Sequence, residues 1–340
     1  MRNKLDIIRY GSSCFTYLTP ILMFTDISSD ISADIASLIS FITVSFFIIF
    51  IILYLSGLQS MYISDSNYIK ILQIAGLFAA SIYEITEIHA VFKHSSDFSS
   101  TNTGLYVLAL IIILIAAICS IAGAYTAIKV SNIIFLIPMV VFILVLISVA
   151  VGGITPLSFD TCDTDILPSI FRGIIAALIL FVDIYIIIFM QKKEKCYSGK
   201  EIKITLTVSL ALATAVSIML RWMFGKVLFQ RIEIPFISAI GVIPGFSFDE
   251  IMMFAVSVGI LYRFICKMCF CTILMKDIYG SGAAVIRILL FGIFSCAVTV
   301  GTALYISGIN KNIVSFVSLI PNLFAFIVFP LFQSGRLKRS

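Results

Sequence analysis

Apolar runs about 20 residues long, each closed by a short polar break, recur from one end of this chain to the other. That length of helix spans the hydrocarbon core of a bilayer. Nine runs meet it plainly, at 38–57, 69–91, 105–125, 133–151, 170–190, 204–224, 251–270, 284–306 and 313–332. A tenth, at 7–24, is more polar at its start and carries Gly11, Ser12, Ser13 and Pro20. The pattern predicts ten membrane-spanning helices and no strands.

Composition carries the same message. Hydrophobic residues fill 61% of 340 positions and charged residues 12%, with a mean hydropathy of +1.14. A soluble domain of this size could not bury so much apolar surface, so the solvent is expected to be lipid and the chain one integral domain. The net charge of +5 comes from scattered basic residues, which does not make a nucleic-acid footprint. Cys14, Cys119 and Cys296 lie inside apolar runs, where cysteine acts as a small hydrophobe. Cys266, Cys269 and Cys271 have a metal-like spacing but no histidine or fourth thiol beside them. No metal or cofactor is expected.

The basic residues set the orientation. With both termini cytoplasmic, ten spans place fifteen lysines and arginines inside, among them Arg2, Lys4, Arg9, Lys70, the cluster from Lys192 to Lys203, and Arg336 to Arg339. About six fall outside, a clear positive-inside bias. Leaving out the first span would put Arg2, Lys4 and Arg9 on the wrong side. The amino-terminal stretch is therefore read as a retained helix and not a cleaved signal. The proline- and glycine-broken stretch 225–250 is expected to lie at the outer surface.

Ten spans divide into two sets of five, about 7–151 and 170–332. An odd number of crossings inverts the second set relative to the first, the plan of many secondary transporters. Their site lies at mid-membrane, where the first helix of each half is interrupted. Gly11-Ser12-Ser13 offers such a break in helix 1. In helix 6, Asp183 sits about 13 residues into the span, where an acid costs roughly 2.5–3.5 kcal/mol and is expected to face the bundle interior. A substrate or proton site there competes with a structural hydrogen bond.

Three stretches carry a family resemblance: YGSSCFTYLTP, DILPSIFRGIIAALILFVDIYIIIF, and RIEIPFISAIGVIPGFSFDEIMMFAVSVGILYRFICKM. They supply a Gly-Ser pair followed by proline, a leucine-proline lead-in to an acidic helix 6, and a proline-bearing outer loop ahead of helix 8. In these the chain resembles the spore germination permease family, the B subunit of GerA-type nutrient receptors, in the amino acid–polyamine–organocation superfamily. The resemblance implies a LeuT-like 5+5 inverted repeat with helices 1 and 6 interrupted. It also implies partner receptor subunits and the spore inner membrane. The chain departs from the pattern in being short and in having an unusually acidic helix 3.

The intramembrane polar residues name the candidate chemistry. Glu84 and Glu87 are three apart in helix 3 and share a face, with Tyr83 and His89 nearby. Two carboxylates this close repel when both are ionised, which suits proton binding; an outer watery vestibule is the alternative, with His89 at the interface. Arg263 and Lys267 share a face of helix 8. Lys267 is expected to snorkel to the inner surface, and Arg263 to need an internal partner among Asp183, Glu84 and Glu87. The expected ligand is a small nutrient, an amino acid foremost, between helices 1, 3, 6 and 8. Backbone amides of Gly11, Ser12 and Ser13 would hold its carboxylate, and Phe181 and Val182 would shape its side-chain pocket. A stand-alone proton-coupled amino acid transporter is the second expectation. An enzyme is not expected, because His89 and His94 stand in no metalloprotease motif and no nucleophile elbow is present.

Overall fold

The structure is a computed structural model. It describes residues 35–57, 67–95, 102–122, 249–280, 283–309 and 311–329, with scattered helical positions, at most three in a row, between 147 and 219. Among the described residues all regular structure is helical. The helices are α1 (Ile35–Gly57), α2 (Asn67–Ser95), α3 (Asn102–Ala122), α4 (Asp249–Tyr279), α5 (Ala283–Ile306) and α6 (Lys311–Leu323). A π-helical stretch, Phe324–Val328, continues α6. Each of these falls on an apolar run, because the backbone must satisfy its own hydrogen bonds where side chains offer none. Two stretches, Asn67–Phe92 and Val285–Ile306, are long and apolar enough to cross a bilayer, which supports a membrane protein.

Helix ends follow local chemistry. Gly280 adopts φ +72° past the end of α4 and donates to the Lys276 carbonyl at 2.9 Å. Gly308, at φ +71°, closes α5. Its N–H reaches Tyr305 O at 3.1 Å while Ile309 N–H reaches Leu304 O at 3.3 Å. That pair of bonds is a Schellman cap, which a β-carbon would strain. Pro321 interrupts α6, removing one backbone donor just before the π-helical turn.

Contacts divide the chain into two compact units. The first comprises 1–50, 131–181 and 200–259; the second comprises 51–130, 182–199 and 260–340. In the first, Gly173 packs against Ser37, Ser40 and Phe41 of α1. The Ser40 hydroxyl bridges to the carbonyls of Ser37 at 2.9 Å and Ile170 at 3.1 Å. In the second, α2 meets both α5 and α6. Gly301 of α5 lies against Ile82 and Ile85, and Thr302 and Tyr305 lie beside His89. Both helices advance together along this seam, so α2 and α5 run parallel. On its other side Gly76 meets Asn322 and Gln73 meets Ala325, so α2 and α6 are antiparallel.

Beside their apolar core, these helices bury several charged and polar side chains and expose large apolar ones. Lys70, Gln73, Glu84, Glu87, His89, Arg263, Lys267 and Asn322 are buried. Phe47 is 66% exposed, Leu110 65% and Ile288 71%, within apolar outer faces on α1, α3 and α5. Hydroxyls bond to their own helices: Thr43 donates to Ile39 O, Ser81 to Leu77 O, Thr272 to Met268 O and Thr299 to Ser295 O. This is how a hydroxyl avoids a lost bond in an apolar setting.

Candidate functional site: a buried charge cluster

Glu84 lies at mid-length in α2, with its side chain fully buried. The apolar neighbours Leu77, Ile85 and Ile88 keep that stretch of α2 inside. One of its oxygens, Oε1, receives both basic side chains of α4. Arg263 Nη2 stands 3.3 Å away, and the Lys267 ammonium donates to the same atom. Arg263 and Lys267 are one turn apart in α4, so a single carboxylate reaches both. Glu87, one turn beyond Glu84, is also buried, at 1% exposure. Two acids of α2 and two bases of α4 are therefore buried in the second unit, along with Lys70.

The expectations for these residues divide. Arg263 has an internal partner in Glu84, one of the three acids expected to serve it. Lys267 does not snorkel. It is 1% exposed and committed to Glu84, because a buried carboxylate outbids the distant interface for its ammonium. His89 is fully buried against α5, and Glu84 and Glu87 do not open onto water. Tyr83 and Val182 are both buried. Gly11, Ser12, Ser13, Phe181 and Asp183 lie outside the described residues. Cys266, Cys269 and Cys271 are buried and form no disulfide, and the described residues contain no group of three or more metal-ligating side chains.

A second polar contact lies toward the far end of α2. His89 Nε2 is 2.9 Å from Thr302 Oγ1, whose single proton goes to the Val298 carbonyl at 2.8 Å. The hydroxyl must then accept, so the imidazole carries its proton on Nε2. Tyr305 stacks on the ring at 5.5 Å between centroids. Replacing Thr302 by valine removes the acceptor and leaves a buried donor unmet, a loss of about 1–3 kcal/mol. Thr302→Ser keeps the bond. Thermal unfolding in detergent should show a lower midpoint for the valine variant and a midpoint near wild type for serine.

Sequence reasoning missed Gln73 and Asn322, the polar pair between α2 and α6. Their signal was available: each is an amide within an apolar run, and Asn322 directly follows a proline.

No protein-family model matches this chain, and no curated protein matches it by sequence.

Proposed function

We propose that the chain is a multi-pass membrane protein that binds a small nutrient, foremost an amino acid, and serves as the membrane subunit of a spore germinant receptor. Ten crossings, with both termini cytoplasmic, are arranged as two inverted halves of five on the LeuT-like plan, with helices 1 and 6 interrupted. The observation that carries the membrane-embedded binding role is the pairing of charges buried inside the helices with outer faces that are apolar. Such residues inside a membrane bundle mark binding sites and ion paths far more often than they serve stability.

Helix directions support the crossing pattern. The third and ninth spans should run the same way and the tenth the opposite way, as α2, α5 and α6 do. The charge cluster supports the two-half plan, because α2 and α4 are the third members of their respective halves. Each compact unit also draws on both halves, as intertwined repeats would.

In this proposal the nutrient lies between helices 1, 3, 6 and 8, bounded by Gly11, Ser12, Ser13, Tyr83, Phe181, Val182 and Asp183. Its carboxylate is held by freed amides of helix 1, and occupancy is passed to partner subunits in the spore inner membrane. Gly11→Trp should abolish the response to nutrient while the protein still accumulates in the membrane. A normal response in that variant would remove the pocket.

A second reading is favoured by the two buried carboxyls Glu84 and Glu87. It is a proton-coupled amino acid transporter acting alone, with those residues or Asp183 as the coupling acid. Counterflow of labelled amino acid in proteoliposomes separates the two. Exchange supports the transporter, and binding without exchange supports the receptor.

A further inference from the structure

Gln73 and Asn322 lie deep between α2 and α6, at 4% and 2% exposure. Both turn their amide nitrogens to backbone carbonyls of the opposite helix. Gln73 Nε2 donates to Ala325 O at 3.4 Å, and Asn322 Nδ2 donates to Gly76 O at 3.0 Å. Asn322 Nδ2 also donates within α6 to Ser318 O at 2.6 Å. These bonds fix which way each amide faces, since a flip would set oxygen against oxygen. Gln73 Oε1 and Asn322 Oδ1 are then left as acceptors, and neither has a hydrogen-bond partner among the described residues.

A buried acceptor of this kind costs about 1–3 kcal/mol if unmet, and internal water is its usual donor. The Asn322 oxygen lies against Gly76, 2.6 Å from where a β-carbon would stand, so only a residue without a side chain lets it sit there. Pro321 and the π-helical turn flank Asn322, so regular backbone pairing is already broken there. Irregular backbone at membrane depth is tolerated where it lines protein or water.

The placement along α2 adds a direction. Lys70, Gln73, Ser81, Glu84 and Glu87 are buried and follow one another at helical spacing on one broad face. From Lys70 to Glu87 the rise is about 26 Å at 1.5 Å per residue, most of a hydrocarbon core. We propose that Gln73 and Asn322 hold internal water that passes protons between the Lys70 end of α2 and the Glu84 and Glu87 carboxyls. The inference rests on the membrane reading above and names the proton as the ion of the charge cluster. A proton leaving a hydronium bonds to a carboxylate oxygen and leaves neutral water behind, and the reverse step returns it. Among the described residues the charged groups along this route are Lys70, Glu84 and Glu87 from α2 and Arg263 and Lys267 from α4, and Tyr185 packs on Phe326 of the π-helical stretch. The α6 residues that meet the route, Ser318 and Asn322, carry no charge. His89 and Tyr305 belong to the α5 side of α2.

Side-chain hydrogen exchange tests the route without any nutrient, so its failure is separate from failure of nutrient binding. Full-length nitrogen-15-labelled protein in lipid nanodiscs is moved into D2O and followed by NMR, with peaks assigned from Gln73→Leu and Asn322→Leu. The Gln73 and Asn322 amide signals should vanish within minutes, together with the Arg263 Nε–H signal beside Glu84. In either leucine variant the Arg263 signal should persist about tenfold longer. Gln73→Met provides the same comparison if leucine disturbs folding. Wild-type amide signals that survive for hours would overturn the proposal. So would Arg263 exchange that is equally fast in wild type and variants, since a merely structural water would leave it unmoved.

Discussion

Glu84→Ala is expected to be the most damaging single substitution among the described residues. Its carboxylate receives both Arg263 and Lys267, and these cations are 3% and 1% exposed. Removing the acid leaves two positive charges in an apolar interior, where breaking even one buried pair costs about 3–5 kcal/mol. Glu84→Gln keeps an oxygen acceptor but loses the charge, and should fall between wild type and alanine. The triple variant Glu84→Leu, Arg263→Met, Lys267→Met removes the acid together with both cations it receives and should recover much of the loss, because a buried ion network is often no more stable than a packed apolar one. Thermal unfolding of the purified proteins in one detergent checks this ordering. If the triple variant retained stability but lost nutrient response, the charges would serve function and not folding.

Gly173→Ala should be the most damaging change in the first unit. A β-carbon there would meet the Ser40 hydroxyl and the Ser37 carbonyl closer than any real contact, and Phe41 N at 2.9 Å. Two of those three atoms are backbone, so no rotamer change relieves the clash and the helices must separate. Overpacking of this kind costs about 1–3 kcal/mol, and separation would also break the Ser40 hydroxyl bond to Ile170 O. Ser40→Ala added to Gly173→Ala should rescue little, because the backbone contacts remain. A double variant with the wild-type unfolding midpoint would contradict the close approach.

Much of the helical layout was legible because the chain's hydrophobic runs are long and their breaks polar. The run expected at 284–306 corresponds to Ala283–Ile306, and that at 38–57 to Ile35–Gly57. The ends moved where polar residues are carried inside. Lys70 stood at the edge of the run 69–91, yet α2 begins at Asn67 and buries it. Helix α4 outlasts the run 251–270 by nine residues, to Tyr279.

Partnership was harder to read. Sequence placed Glu84 and Glu87 on one face, and Arg263 and Lys267 on another, but gave no distance between residues some 180 positions apart. Lys267 illustrates the gap. A long cation near a span's end has two outlets, the interface and a buried acid, and only tertiary packing chooses between them. The same holds for His89, whose partner Thr302 lies 213 residues away. Gly76 and Gly301 lie within apolar runs, and their role in close helix contact follows only from which side chains oppose them.

All of these readings require that lipid, and not water, surrounds the exposed apolar faces. Spin labels at Phe47, Leu110 and Ile288 of protein in liposomes measure this directly through relaxation by oxygen and by a water-soluble nickel chelate. A lipid-embedded bundle predicts strong relaxation by oxygen and almost none by nickel at all three sites. Strong relaxation by nickel would mean that water bathes these faces, and the chain would not be a membrane-embedded binding protein.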